Sequence, residues 1–85
     1  MQPVVIYTSP LCGFCHAAKR LLSAKNVSFS EIDVSRDGAK RQEMMARANG
    51  RHTVPQIFVG TTHVGGSDEL HALERQGKLD ALLAG

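Results

Sequence analysis

The amino-acid sequence predicts a single α/β domain, residues 1–85, with elements in the order β-α-β-α-β-β-α-α. Three observations lead to this prediction. The chain has 85 residues, which is the size of one compact domain. Its N-terminal apolar run is followed, after a break at Ser9-Pro10, by a segment with helical spacing. Two short strand patterns later in the chain flank Gly60-Thr61, an offset typical of a tight hairpin.

The first two elements are a strand and a helix. Pro3 to Thr8 is rich in apolar β-branched residues, as is typical of a strand covered on both faces. Ser9-Pro10 then interrupts the strand. Apolar residues recur beyond it at the spacing of one helical face: Phe14, Ala17, Ala18, Leu21 and Leu22. This pattern predicts a helix that ends near Lys25-Asn26.

A second strand and a second helix follow. Val27 to Val34 has a strand pattern whose alternation slips around Glu31-Ile32, which indicates an edge position in the sheet. Ser35 to Gly38 is a turn and helix-start signal. The stretch from about Ala39 to Asn49 is rich in helix formers, with Gly50 as the expected stop. Because a helix lies between two strand candidates, the N-terminal half predicts a βαβ unit.

The C-terminal part of the chain predicts a hairpin and two helices. Gln56 to Val59 and Thr62 to Val64 are the hairpin strands, and Gly65-Gly66 closes the second one. Ser67-Asp68 provides suitable N-cap side chains for a helix that Gly77 ends. A final short helix carries three leucines: Leu79, Leu82 and Leu83.

Composition and charge exclude several classes of function. Ten Lys and Arg against eight Asp and Glu leave a formal net charge of +2. The basic residues are scattered along the chain, so a nucleic-acid partner is not expected. The apolar run from Val4 to Tyr7 is too short for a signal peptide or a membrane span. We expect a cytoplasmic protein without a membrane partner, and we also expect a monomer.

The two cysteines, Cys12 and Cys15, stand where the first strand passes into the first helix. A bond between them would close too small a loop to stabilise a fold, so the pair indicates chemistry. With Cys12 in the N-cap region, the free amides of Phe14 and Cys15 would point at its sulfur and favour the thiolate. Cys12 is therefore the predicted nucleophile. Cys15, one helical turn further on, is predicted to resolve a mixed disulfide formed at Cys12.

The cysteine pair has two other possible interpretations. One is a pair of buried structural thiols, and the other is a zinc site. Structural zinc sites mostly need four ligands, whereas the chain has no further cysteine. Its four histidines lack a second paired spacing: His16, His52, His63 and His71. No metal site is therefore predicted within the chain.

Three segments, taken together, resemble the signature segments of the bacterial dithiol glutaredoxin family. They are Cys12-Gly13-Phe14-Cys15, Thr53-Val54-Pro55-Gln56-Ile57-Phe58 and Gly65-Gly66-Ser67-Asp68-Glu69-Leu70. The resemblance extends from Val5 to Leu83. It implies a thioredoxin-like fold, with a four-stranded mixed sheet flanked by helices on both faces. It also implies a cis peptide bond before Pro55, where the residue types alone favour trans.

The resemblance further implies a glutathione-binding groove beside Cys12. The residues that match the family's glutathione contacts are Phe14, Thr53, Val54, Pro55, Gly66, Ser67 and Asp68. Among them, the backbone of Val54 would pair with the cysteinyl part of glutathione. Asp68 would receive the amine of the γ-glutamyl end, whose carboxylate would meet the amide groups at the helix start.

The implied activity is the reduction of protein disulfides and protein–glutathione mixed disulfides, with glutathione as reductant. The expected partners are therefore glutathione and disulfide-containing or glutathionylated proteins. Gly13 stands where the family often has proline. Some members with glycine there hold a [2Fe-2S] cluster between two protomers, and this carrier function is the alternative. Ser9 stands where a lysine is common, so Arg47 or Arg51 is a candidate for the missing cation.

Overall fold

A computed structural model describes the whole chain, residues 1–85. Its four strands are β1 (Val4–Thr8), β2 (Ser30–Asp33), β3 (Gln56–Val59) and β4 (Thr62–Gly65). Its four helices are α1 (Gly13–Ala24), α2 (Gly38–Arg47), α3 (Ser67–Arg75) and α4 (Leu79–Ala84). The element order is the predicted one.

The strands form one mixed sheet in the order β2-β1-β3-β4. β2 lies parallel to β1, with Val5 opposite Ser30, and α1 makes the crossover between these two strands. β3 lies antiparallel to both β1 and β4. The register of β3 and β4 shifts between Ile57 and Phe58. The edge position predicted for β2 is confirmed.

The predicted start of β2 was wrong by three residues. The strand begins at Ser30 rather than at Val27, because the chain is still leaving α1 at that point. Asn26 has a φ of 58°, and the amide of Val27 donates to the carbonyl of Leu22 at 3.0 Å. The side chain of Val27 is buried in the core, so its apolar character reflects packing rather than strand pairing.

Two helix boundaries also differ from the prediction. α2 ends at Arg47 rather than at Asn49, because Asn49 and Gly50 both adopt positive φ, 56° and 86°. At the start of α3 the N-cap is Gly66, not Ser67-Asp68. Glycine has no capping side chain, and the carboxylate of Glu69 instead accepts the Gly66 amide hydrogen at 2.8 Å.

The sheet carries a separate apolar cluster on each face. The larger cluster packs β1 and β3 against α1, α3 and α4, through residues that include Ile6, Leu22, Ile57, Leu70 and Leu83. The smaller cluster packs the opposite face against α2: Tyr7, Val34, Met44, Ala48 and Phe58. Helices therefore cover both faces, as expected. None of them combines the length and the apolar character that crossing a bilayer requires.

Candidate active site

Cys12 is the N-cap residue of α1, at the end of the loop that leaves β1. Its sulfur accepts a hydrogen bond from the amide of Cys15 at 3.1 Å. The amide of Phe14, also expected to point at the sulfur, makes no such bond. On its other side the Cys12 thiol donates to the carbonyl oxygen of Val54 at 3.7 Å. The side chain is half-buried, so the sulfur combines an amide partner with access to solvent.

Cys15 has a contrasting environment one turn along the same helix. Its side chain is completely buried, and both cysteines are free thiols. Burial, together with the hydrogen bond to Cys12, raises the pKa of the Cys15 thiol to about 12. At neutral pH Cys15 is therefore protonated, and the predicted nucleophile Cys12 is the accessible sulfur of the pair.

A cis peptide bond joins Val54 to Pro55. The cis bond implied by the resemblance is confirmed, whereas the residue types alone, with their default of trans, could not decide the isomer. The turn brings the Val54 carbonyl to the Cys12 sulfur. Just before it, the Thr53 carbonyl accepts a hydrogen bond from the Gln56 side chain at 3.0 Å. The segment from Thr53 to Pro55 is thus fixed against the nucleophile.

A groove of about 270 Å³ opens beside this turn. It is lined by Phe14, Arg51, Thr53, Val54, Pro55, Gly66, Ser67, Asp68 and Glu69. All seven residues predicted to bind glutathione therefore lie around one concavity, although they come from three distant parts of the chain. Phe14 stands at its mouth with 67% of its surface exposed. The groove is thus bounded by the first turn of α1, the cis-proline turn and the start of α3.

Two groove residues were absent from the seven predicted glutathione contacts, and they contact each other; one of them, Arg51, was a candidate for the missing cation. The Arg51 guanidinium donates to the Glu69 carboxylate at 2.8 Å, the same oxygen that accepts the Gly66 amide hydrogen. The Gly66 amide and the Arg51 side chain both lower the pKa of Glu69. An acidic residue three positions after a helix N-cap is a capping signal that the sequence carries. Glu69 could have been found from it.

Arg47, the other candidate for the missing cation, lies away from the groove. Its guanidinium carbon stands 4.2 Å from the centroid of the Phe58 ring. It also donates to the Tyr7 hydroxyl at 2.8 Å, and that hydroxyl in turn donates to Glu43 at 2.7 Å. Arg47 therefore fixes α2 against the sheet. Of the two arginines, only Arg51 belongs to the wall of the groove.

Comparison with known proteins gives a consistent result. The glutaredoxin family model matches residues 4–64. A glutaredoxin of Pseudomonas aeruginosa is 57% identical over 84 residues, which cover 99% of each chain. The solution structure of glutaredoxin from Brucella melitensis has a TM-score of 0.85 and 54% identity, over 98% of this chain and 89% of that one. A buckwheat glutaredoxin–glutathione complex has a TM-score of 0.86 and 28% identity, over 98% and 77%.

Proposed function

Because this chain belongs to the glutaredoxin family and is a thiol-disulfide oxidoreductase of thioredoxin-like fold, we propose that glutathione is its reductant. The substrates are protein–glutathione mixed disulfides and protein disulfides. One observation carries the proposal: the residues matching the family's glutathione contacts surround a single groove next to the Cys12 sulfur. The buckwheat relative is described in complex with glutathione, which supports the same ligand. We place the reaction in the cytoplasm and in a monomer.

The reaction begins with the Cys12 thiolate attacking the glutathione sulfur of a glutathionylated protein. The sulfur–sulfur bond of the substrate breaks, and the protein thiolate leaves and takes up a proton. Glutathione is then held on Cys12 by a new disulfide. A second glutathione, as thiolate, attacks that glutathione sulfur, and the products are oxidised glutathione and the free Cys12 thiolate. Two electrons pass from glutathione to the substrate.

The groove supplies a partner for each end of the tripeptide. Backbone groups of Val54 would pair with the cysteinyl residue, which holds the disulfide close to Cys12. The first amides of a helix have no partner within it. Glu69 already takes the Gly66 amide, so the amides of Ser67 and Asp68 would receive the γ-glutamyl carboxylate. Arg51 is the proposed cation for the glycine carboxylate, in place of the lysine missing at Ser9.

For a protein disulfide the second cysteine takes part. Cys12 forms a mixed disulfide with the substrate protein, and Cys15 attacks the Cys12 sulfur to release the substrate's second thiol. The product is an oxidised Cys12–Cys15 pair, which glutathione reduces. Because burial keeps Cys15 protonated in the resting protein, it deprotonates only as it attacks, and it does not compete with Cys12 for substrate.

Two serine substitutions test these roles. Cys12→Ser should abolish glutathione-dependent reduction of both substrate types, because it removes the nucleophile. Cys15→Ser should abolish protein-disulfide reduction but retain deglutathionylation, which needs only Cys12. The measurement is turnover of a glutathionylated peptide and of a disulfide-bonded protein at matched enzyme concentrations. Activity surviving in Cys12→Ser would refute the assignment of the nucleophile.

The [2Fe-2S] carrier alternative has a limited basis in this chain. No three or more His, Cys, Asp and Glu side chains gather into a group that could hold a metal. A cluster would therefore need two protomers, each supplying Cys12 and one bound glutathione sulfur. A Cβ at Gly13 would meet no atom within 4 Å apart from its chain neighbours, so there is open space at the position next to Cys12 where the family often has proline. Anaerobic reconstitution with glutathione should give a brown dimer if this function exists. A colourless monomer would count against it.

A further inference from the structure

Behind the groove, one buried and one half-buried polar side chain, Gln56 and His63, link β4 to the cis-proline turn. Gln56 is the first residue of β3, and its side chain is completely inaccessible to solvent. Its amide nitrogen donates to the Thr53 carbonyl at 3.0 Å and lies 3.3 Å from the Thr53 hydroxyl. Its amide oxygen lies 2.7 Å from Nε2 of His63 on β4. Neither Gln56 nor His63 touches the groove.

The direction of these bonds follows from the carbonyl at their end. The Thr53 carbonyl can only accept, so the nitrogen of the Gln56 amide must face it. The amide oxygen then faces His63, whose Nε2 must carry a hydrogen and donate. Burial, with Arg51 as the next cause, lowers the pKa of His63. At neutral pH the ring is therefore uncharged and has its one hydrogen on Nε2.

The His63 ring is itself held in place. It stacks on the ring of Phe58, with centroids 4.8 Å apart and an angle of 22° between the planes. Without the His63 donor, the Gln56 amide oxygen would be buried with no hydrogen-bond partner, and the side chain would gain by leaving this position for one in which that oxygen has a donor. His63 therefore stabilises the placement of Gln56 that holds the turn.

The turn has no regular secondary structure of its own between Arg51 and Pro55. Pro55 has no amide hydrogen, so it cannot anchor the turn by donating a bond. The Gln56 side chain supplies the anchor at Thr53. The next residue, Val54, presents its carbonyl to the Cys12 sulfur and lines the groove.

We propose that Gln56 and His63 are positioning residues for glutathione: His63 orients the Gln56 amide, and Gln56 fixes the Thr53–Val54 backbone against Cys12 and the groove. This inference rests on the proposed function, because the positioned backbone is the one that would pair with the cysteinyl part of glutathione. The two residues act in series, so the effects of substituting both on KM should not multiply.

The test uses steady-state kinetics with a glutathionylated peptide as substrate. Gln56→Met removes both polar atoms and keeps the length of the side chain. We expect a roughly fivefold increase in KM with kcat within about twofold, since one binding contact is misplaced and the nucleophile is intact. His63→Phe keeps the stacking on Phe58 and removes the donor, and it should raise KM roughly threefold. His63→Gln restores a donor at a similar reach and should return KM to the wild-type value.

The double variant decides whether the residues act in series. Once Gln56 is gone, His63 has nothing to orient, so Gln56→Met with His63→Phe should match Gln56→Met alone rather than multiply the two effects. Gln42→Met, the same exchange at an exposed position of α2, is the matched control and should leave KM unchanged. If Gln56→Met unfolds, the pair His63→Phe and His63→Gln, at a half-buried position, still decides the question.

The outcomes separate the two proposals. A wild-type protein that does not turn over the peptide would refute the proposed function and this inference with it. An active wild type whose KM is unchanged in both Gln56→Met and His63→Phe would refute the inference alone. Multiplied effects in the double variant, or failure of His63→Gln to restore KM, would also refute the serial arrangement.

Discussion

At the scale of single residues, the two cysteines at the start of α1 differ in exposure and in hydrogen bonding. Cys12 lies at the N-cap with an amide donor and access to solvent, whereas Cys15 lies inward and is completely buried. The three-residue spacing places the second sulfur on the protein side of the first turn. The Cys12 sulfur is therefore accessible for attack, whereas the Cys15 sulfur is covered in the resting protein.

Alkylation should reveal this difference directly. Because the pKa of Cys15 is raised to about 12, its thiol is protonated at pH 7 and sterically covered, and we expect iodoacetamide to modify Cys12 alone in the native reduced protein. Intact-mass spectrometry would show one carbamidomethyl group, and peptide mapping would assign it to Cys12. In guanidinium chloride both cysteines should react. A doubly modified native protein would contradict the prediction.

At the scale of secondary-structure elements, the N-cap residue of α3 has no side chain with which to cap the helix. Gly66 has no capping side chain, and Glu69 takes over that role by accepting the Gly66 amide hydrogen. The same carboxylate oxygen accepts from Arg51. The start of the helix and one wall of the groove therefore depend on a single ionised group.

The stability supplied by Glu69 should disappear in acid. The Gly66 amide and Arg51 lower the pKa of Glu69 in the folded state, so its contribution is complete above the unfolded pKa of about 4.3 and is lost as pH falls through the folded pKa. Glu69→Gln should lower Tm by about 3 °C at pH 7. The difference from wild type should shrink as pH falls below the unfolded pKa of about 4.3 and disappear below the lowered folded pKa, as measured by circular dichroism. A difference that stays constant as the pH is lowered through this transition would contradict the assignment.

At the scale of the whole molecule, the two central strands join two apolar clusters. Neighbouring residues of β1, Ile6 and Tyr7, belong to opposite clusters, and so do Ile57 and Phe58 of β3. Removing a side chain from one cluster therefore disturbs strands that the other cluster also needs. The two faces of the sheet should unfold together.

The single tyrosine provides a test of this coupling. Leu22 lies in the larger cluster and Tyr7 in the smaller one, and the chain has no tryptophan to mask tyrosine fluorescence. Leu22→Ala should cost about 2–5 kcal/mol. In urea, Tyr7 fluorescence and far-ultraviolet circular dichroism should shift to the same lower midpoint. Two separate midpoints would show that the clusters unfold independently.

Much of this architecture could be predicted because local patterns decide it. The bounds of β3 were predicted correctly, and the cysteine pair was correctly placed at the start of α1. The patterns failed where a tertiary contact overrides them, as at Val27, whose apolar side chain serves the core and not a strand. Whether the seven groove residues bind glutathione stays a prediction.

Other features of the site had no signal in the residue types. The cis bond at Pro55 is the rarer isomer for any proline, so only the resemblance to a family pointed to it. The contact between Gln56 and His63 depends on how β3 and β4 align, and their register shifts between Ile57 and Phe58. A shift of that kind changes which side chains meet, and no pattern within either strand determines it.

The empty space beside Gly13 has a practical consequence. Since a Cβ there would meet no atom within 4 Å, this position can accept other amino acids without any rearrangement of the interior. A panel of variants differing only at residue 13 would thus vary the surroundings of the reactive sulfur while the scaffold stays constant.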